Sequence, residues 1–353
     1  MVYNRPEQTG KICAGEINLK RKMDKGISNN DLLPIDFDPF AGPEIIRVVP
    51  AIEPQLEIWA SCIIGGEDAN RAFNESVSLL LQGEFNHAAM ESALHDVIKR
   101  HDALRSSFSA DGKQICIYKE LPLQTFFEDL SKQNPDQQRS CITDFSKKDA
   151  ETSFDLLNGP LFRVALFKLE ENEHYLTITA HHIICDGWSL GIVMQDLSKL
   201  YSAYVKGQVL DLPPAYQFGN YAVQQLAFVQ STEYKKIEEY WVDQYRQSIP
   251  VLDIPTDYPR PVDRTYKSHR DDYPLNQELV LAIKKMGAKS GCSLVTTLMV
   301  SYEVFLHLLT GQDDIVLGIP TAGQSATDNY ALVGHCVNLL PLRSNPKGEL
   351  PFF

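Results

Sequence analysis

Alternation of apolar and polar side chains is clearest over residues 175–179, where a β-branched and aromatic composition predicts a β-strand. The run 164–168 has the same character, and the polar stretch 170–173 between the two predicts a hairpin. From Ser189 onwards, apolar residues recur at helical spacing as far as a stop at Gly207. The pattern therefore places residues 180–189 at a corner between a strand and a helix.

Strand-like and helix-like periods recur along most of the remaining chain. Further strands are predicted at 73–81, 115–118, 315–323 and 332–343, and further helices at 49–59, from Asn86 to about residue 100, from Asn276, and from Ser293 to Gly311. The proline-rich stretches 210–214 and 254–261 predict a boundary and a loop. Residues 1–46 mix charges, glycine and proline without a sustained period, which predicts a leader or linker.

Composition narrows the class of protein. At 353 residues the chain exceeds the size at which a single hydrophobic core stops growing, so two packed units are expected. A net charge of −13 argues against nucleic acid or an anionic membrane as a partner. No apolar run approaches the roughly 18 residues that span a bilayer, and residues 1–10 lack a signal-peptide core. The seven cysteines have no metal-type spacing, which predicts reduced thiols and a cytoplasmic protein.

Two histidines end the strand at the corner. Because side chains alternate across a strand, His181 and His182 must point to opposite faces, with His182 on the face of Leu176 and Ile178. A neutral imidazole at such a corner can take a proton from an ammonium or hydroxyl nucleophile, or hydrogen-bond to it. The residues therefore point to acyl-transfer chemistry.

The corner resembles the HHxxxDG motif of nonribosomal peptide synthetase condensation domains, members of the chloramphenicol-acetyltransferase-like superfamily. The motif is complete as His181, His182, Asp186 and Gly187, and Trp188 and Ser189 also match the peptide-bond-forming members. Residues 100–108 resemble the RHExLRTxF motif of the family, residues 218–223 its YxDYAVW motif, and residues 315–323 and 332–343 its late motifs.

The resemblance implies an α/β fold: two acyltransferase-like lobes in a V arrangement, with the active site in the tunnel between them. It places the N-terminal lobe, with the motif, at 47–212 and the C-terminal lobe at 213–353. Because family members continue past the last matched motif, the second lobe is expected to be incomplete and the activity of the isolated chain is open.

The implied function is condensation. The amine of an aminoacyl group on one carrier protein attacks the thioester on another, which makes an amide and lengthens a peptide. Each substrate travels on a phosphopantetheine arm of a carrier protein, so the chain is expected to bind no metal and no cofactor of its own. The expected partners are donor and acceptor carrier domains and the adenylation domain of the same assembly line.

The resemblance also implies roles for individual residues. His182 is expected to position or deprotonate the attacking amine, His181 and Asp186 to hold the corner, and Gly187 to let the backbone approach the thioester. The motifs and the predicted tunnel lining add Trp188, Ser189, Arg105, Gly318 and Asn338 as candidate site residues.

One position departs from the family pattern. Gly323 is followed by Gln324, where the family commonly has an arginine that pairs with the aspartate of HHxxxDG. A buried Asp186 then needs several N–H donors or another cation. The candidate cations are Arg105, Arg163 and Arg343.

Three alternatives remain open on the sequence. A stand-alone acyltransferase using coenzyme A would use the same chemistry, and an inactive condensation-domain fragment would serve only for docking. A metal site built from His181, His182 and Asp186 is disfavoured because adjacent strand histidines diverge. The Gly-Trp-Ser sequence at 187–189 disfavours epimerisation, and the presence of both histidines disfavours heterocyclisation.

Overall fold

The computed structural model describes residues 42–269 and 271–347. Most of the predicted leader at 1–46 lies outside the described residues, as do Cys13 and positions 348–353 of the predicted second lobe. The last two leader positions, Ile45 and Ile46, instead begin a strand.

Nine strands are present in the described residues: β1 (Ile45–Pro50), β2 (Asn74–Gln82), β3 (Ser106–Phe108), β4 (Gln114–Tyr118), β5 (Gln124–Asp129), β6 (Phe162–Glu170), β7 (Glu173–His181), β8 (Ile315–Ala322) and β9 (Val337–Ser344). The α-helices of the same residues are α1 (Glu53–Ala72), α2 (His87–Arg100), α3 (Pro135–Ala150), α4 (Gly187–Val205), α5 (Phe218–Val229), α6 (Thr232–Tyr245), α7 (Gln277–Lys289), α8 (Leu294–Thr310) and the single turn α9 (Gly323–Ala326). A 3₁₀ turn spans Asp102–Arg105.

The strands form three sheets. The largest has the order β2-β7-β6-β5, antiparallel except for the parallel β5–β6 pair. β1, β4 and β3 form an antiparallel sheet, and β8 pairs with β9. The α/β fold class is confirmed, and so is the predicted β6–β7 hairpin, which delivers the chain to the two histidines.

One face of the four-stranded sheet lies on the main core, and the other carries a smaller apolar cluster, around Phe167 of β6, beside a set of hydroxyl pairs. Leu176, Ile178 and Ala180 of β7 are buried in the main core, which α2 and α4 cover with residues such as Leu94 and Val193. The opposite face carries hydroxyl pairs between neighbouring strands, Ser76–Thr179 and Ser78–Thr177. Successive residues at the end of β7 therefore point to different faces of the sheet.

Helix caps agree closely with the sequence. Asn86, Asn276 and Ser293 cap α2, α7 and α8 as predicted, and Gly311 ends α8 in the left-handed conformation, with φ 70°. α4 begins two residues before the predicted Ser189, because the side chain of Asp186 caps it by accepting the Ser189 N–H.

Several differences concern regions that the pattern did not resolve. β5, α3 and α6 were not predicted; α3 carries one buried residue, Asp149, and α6 carries none. The helix predicted at 49–59 begins only at Glu53, because Val49 and Pro50 belong to β1. The predicted strand 332–343 begins only at Val337, because the residues before it form a loop that packs against the β7–α4 corner.

Within the described ranges, no helix is by itself long and apolar enough to cross a membrane. α7 and α8 together reach the length and composition, but they are bent by 97°.

Candidate active site

The end of β7 sends its two histidines to different environments. His181 is fully buried, and its ring lies 6.0 Å from those of Phe73 and Phe154. Its Nδ1 accepts the N–H of Ile183, and its Nε2 lies 4.0 Å from the sulfur of Cys62. Burial lowers the pKa of His181 to about 3, so the ring is neutral near pH 7 and has no access to solvent.

His182 leaves the strand on the other side. Its backbone N–H donates to the Phe73 carbonyl at 2.8 Å, and its side chain remains 33 % exposed. The two ring nitrogens have separate neighbours: Nδ1 lies 3.2 Å from Nδ1 of His335, and Nε2 lies 3.9 Å from Oε2 of Glu75. The rings of His182 and His335 are nearly perpendicular, at 88°.

Asp186 is fully buried at the N-terminus of α4. Its Oδ1 accepts the Ser189 N–H at 2.8 Å and lies 2.7 Å from the Ser189 hydroxyl. Its Oδ2 accepts the Cys336 N–H and the Gln324 amide, both at 3.0 Å. Several polar donors and the positive end of the helix dipole therefore stabilise this carboxylate.

Gln324 thus lies next to Asp186, at the position where the family resemblance predicts an arginine. None of the three candidate arginines contacts Asp186 in the part of the chain that the structure describes. Arg163 pairs with Asp149, Arg343 pairs with Asp314, and Arg105 donates to the carbonyl of Tyr118. Of the two possibilities raised by the sequence, the described residues provide several N–H donors to Asp186 and no cation.

The loop before β9 is fastened to the corner by further hydrogen bonds. The Ser189 hydroxyl accepts the Gly334 N–H at 3.0 Å and lies 2.8 Å from the Gly334 carbonyl, and Trp188 Nε1 donates to the Tyr330 carbonyl. A Cβ at Gly334 would approach a ring carbon of Phe218 to 1.9 Å, so glycine is required for this close contact. Trp188 and Ser189 therefore join two distant parts of the chain.

The other candidate residues lie elsewhere. Gly318 and Asn338 belong to the β8–β9 pair, where Thr321 donates to the Asn338 carbonyl and Leu339 packs 3.2 Å from the Cβ position of Gly318. Arg105 lies against β4, where burial lowers its pKa. The described contacts of these three residues do not include His182.

Two residues of the site were missed by the sequence analysis. Glu75 lies on β2 opposite Ala180, and burial raises the pKa of its carboxyl, although His182 nearby lowers it. His335 is 7 % exposed, and burial lowers its pKa to about 4, so it is neutral near pH 7. The sequence does contain an indication of Glu75: in the alternating pattern of β2 it falls on the same face as Val77 and Leu81, which pack on the core.

The arrangement supplies one accessible imidazole, His182, with a neutral ring on one side and a carboxylate on the other. Such a group can accept a proton from a nucleophile and orient it. Within the described ranges, no cluster of three or more histidine, cysteine or acidic side chains could hold a metal ion.

Comparison with known proteins places the chain in a family. The model of the condensation domain family matches residues 48–353. Surfactin synthase subunit 1 of Bacillus subtilis is 35% identical over 305 residues, which are 86% of this chain and 8% of that protein. Malpinin synthetase of Mortierella alpina is 32% identical over 302 residues, 85% of this chain and 4% of that protein. The chain therefore spans less than a tenth of the length of these two relatives.

Solved structures share the fold. A four-domain nonribosomal peptide synthetase bound to AMP and glycine superposes with a TM-score of 0.75 and 21% identity, over 91% of this chain and 23% of that one. The condensation domain of the monacolin K polyketide synthase superposes with a TM-score of 0.74 and 20% identity, over 86% of this chain and 68% of that one. The match over residues 48–353 and the shared fold show that the chain belongs to the condensation domain family.

Proposed function

We propose that this domain forms an amide bond between an acyl or peptidyl thioester on a donor carrier protein and the amine of an aminoacyl group on an acceptor carrier protein. The observation that carries the proposal is the difference in exposure within the motif. His181 and Asp186 are fully buried, whereas the side chain of His182 is 33 % exposed. His182 is therefore the titratable group of the motif that a substrate can reach.

The reaction needs one proton transfer from nitrogen. The amine lone pair forms the new bond to the thioester carbon, and the carbon–sulfur bond breaks when the tetrahedral intermediate collapses. The nitrogen loses one proton and the leaving thiolate gains one, so that amide and thiol are the products. His182 is placed to take the first proton and to hydrogen-bond to the nitrogen, which fixes the direction of attack.

The buried residues of the motif fix the position of the backbone that carries His182. His181 anchors the strand end in the core, and Asp186 holds the start of α4 and the loop carrying His335. Gly187 adds no side chain beside Glu75 Oε1, which would lie 3.4 Å from a Cβ at that position. The proposal assigns direct contact with substrate to His182 and structural roles to His181 and Asp186.

The remaining assignments are part of the same proposal. Residues 47–212 form the lobe that carries the motif, residues 213–353 form the second lobe, and the active site lies between them. The substrates arrive on phosphopantetheine arms of carrier proteins, and an adenylation domain of the same assembly line loads the acceptor. A cytoplasmic setting is part of the proposal, in keeping with the free cysteines of the described residues.

Reconstitution tests the proposal against a coenzyme A-dependent acyltransferase. The complete natural protein is given an acyl-loaded donor carrier and an aminoacyl-loaded acceptor carrier, and intact-protein mass spectrometry follows the acceptor. We expect the mass of the acceptor carrier to rise by the donor acyl group. A matched reaction replaces the donor carrier with the acyl thioester of coenzyme A and the acceptor with the free amino acid. Product in the second reaction alone would contradict the proposal.

A further inference from the structure

The carboxylate of Glu75 is not satisfied by the fold. Its Oε2 is buried, and no described residue gives that atom a hydrogen bond. The nearby Nε2 of His182, at 3.9 Å, is beyond hydrogen-bond distance. Burial raises the pKa of Glu75, His182 lowers it and the negative charge of Asp186 raises it, so that on balance the fold alone disfavours the charged form of this carboxyl.

An apolar side chain would suit the fold better at this position. Glu75 shares the inward face of β2 with Val77 and Leu81, and it lies opposite Ala180. A buried acceptor without a donor costs stability, so its presence calls for a partner outside the chain. That partner must bring N–H or O–H groups to a carboxylate.

The geometry between Glu75 and His182 fits a nitrogen. Oε2 itself is closed to solvent, but the side chains of Glu75 and His182 are 32 % and 33 % exposed, so an amine near both groups reaches the carboxylate once the carboxyl group turns outward. A primary amine or its ammonium form has several N–H groups and can donate to both acceptors at once. A carboxylate or phosphate in the same place would be repelled by Glu75.

The protonation of His182 decides whether Nε2 is an acceptor. The contact between the two Nδ1 atoms of His182 and His335, at 3.2 Å, requires a proton on one of them. His335 is neutral, so its Nδ1 can accept. When it does, His182 carries its proton on Nδ1 and its Nε2 lone pair faces Glu75.

We propose that Glu75 Oε2 and His182 Nε2 together bind the amino group of the acceptor substrate. His335 is the positioning residue, because its Nδ1 accepts a hydrogen bond from the Nδ1–H of His182. The inference rests on the proposed function and adds a carboxylate to it. A neutral amine donates one N–H to Oε2 and the other to Nε2, so that the nitrogen is held by two groups while its lone pair remains available to the thioester carbon. As the carbon–nitrogen bond forms, Nε2 takes the second of these protons, which leaves an imidazolium beside the Glu75 carboxylate.

The substitution Glu75→Gln tests the carboxylate. In the complete natural protein, the rate of amide formation is measured against acceptor-carrier concentration and, separately, against donor-carrier concentration. We expect the acceptor concentration for half-maximal rate to rise roughly 10- to 100-fold, the worth of a hydrogen bond to a charged group, with no change for the donor. Because the carboxylate is poorly solvated, the melting temperature is expected to stay the same or to rise.

Glu57→Gln is the matched control, since Glu57 is exposed on α1 and loses the same charge. Unchanged acceptor dependence in an active Glu75→Gln protein would overturn the inference while leaving the proposed function standing. A lower melting temperature with equal losses for donor and acceptor would also overturn it, because Glu75 would then be structural. If the parent protein forms no amide at all, the proposed function fails, and the inference fails with it.

The role of His335 has a spectroscopic test. Nitrogen-15 NMR of the His182 ring distinguishes its two neutral tautomers, and we expect the proton on Nδ1 in the parent. His335→Leu removes the acceptor and should shift the proton of His182 towards Nε2, with a loss of turnover of roughly tenfold. His335→Asn places an oxygen near the position of Nδ1 and should restore both readouts. A parent His182 with its proton on Nε2 would overturn the positioning role.

Discussion

Asp186 and Glu75 lie on two sides of the corner between β7 and α4, and their carboxylates have different surroundings. Asp186 accepts hydrogen bonds from Ser189, Gln324 and Cys336. Glu75 has a buried oxygen that accepts none within the described residues. A carboxylate saturated by the fold stabilises the fold, whereas one left without donors is available to a ligand.

The two histidines show the same division. His181 is buried among aromatic rings, and its Nδ1 already accepts the Ile183 N–H. His182 is partly exposed, and its Nε2 faces the unsatisfied carboxylate. Substitutions on the two sides should therefore separate into losses of stability and losses of activity.

The largest expected effect is on the rate, from His182→Ala. Without the positioned proton acceptor, amide formation from carrier-loaded substrates should fall by about 10²–10⁴-fold. The melting temperature should change little, because a side chain that is 33 % exposed contributes little packing. His95→Ala, on the exposed face of α2, is the control and should behave as the parent. A folded His182→Ala protein that condenses at the parent rate would remove His182 from the reaction.

Asp186→Ala should give the largest loss of stability. The variant leaves the N–H groups of Ser189 and Cys336 and the Gln324 amide without their acceptor. Each buried donor left unpaired costs about 1–3 kcal/mol, so the free energy of unfolding should fall by about 3–5 kcal/mol in urea titration. The exposed Asp211 supplies the control Asp211→Ala. An unchanged unfolding curve for Asp186→Ala would show that Asp186 does not stabilise the fold and would favour direct contact with the substrate.

Stability should depend on pH through His181. The unfolded ring binds a proton near pH 6.5 and the folded ring only near pH 3, so between these values the unfolded state holds more protons. The free energy of unfolding should then fall by about 1.4 kcal/mol per pH unit as pH decreases below 6.5, for this residue alone. His181→Asn keeps an acceptor for the Ile183 N–H and removes the titrating ring. In this variant the free energy of unfolding should therefore depend less steeply on pH. If the free energy of unfolding changed equally steeply with pH in parent and variant between pH 5 and 6.5, the claim that the folded His181 ring is buried and neutral would be contradicted.

Gln324→Ala should have the smallest effect. It removes one donor from Asp186 while the Ser189 and Cys336 donors remain. We expect a loss of about 1.5 kcal/mol in the free energy of unfolding, the worth of one hydrogen bond to a charged group. The control Gln208→Ala, at an exposed position, should lower the free energy of unfolding by less. A loss as large as that of Asp186→Ala would show that Gln324 alone holds the carboxylate.

Local patterns predicted many of the helices and strands. The β6–β7 hairpin and the capped helices α2 and α8 follow from alternation, helical spacing and cap residues close together in the sequence. α3 and α6 were not predicted: α3 has one fully buried residue and packs only a few partly buried apolar side chains on the sheet, and α6 has no fully buried residue, so their apolar pattern is weak.

The site was predicted as far as its motif extends. His181, His182 and Asp186 lie within six positions of one another, so the sequence shows them together. His335 is 153 positions from His182, and Gln324 is 138 from Asp186, so only the tertiary fold brings them into contact. For the same reason the sequence could name three arginines as partners of Asp186 and could not show that each has a different one.

A crystal structure of the domain with a stable amide analogue of the aminoacyl acceptor would test the central claim most directly. The claim is that the substrate amine binds between His182 and Glu75, where the carboxylate oxygen Oε2 has no hydrogen-bond donor among the described residues. We expect the amino nitrogen within about 3.3 Å of both His182 Nε2 and Glu75 Oε2, with Asp186 still bonded to Gln324 and Cys336. An amino nitrogen in direct contact with Asp186, or farther than about 5 Å from His182 Nε2, would contradict it.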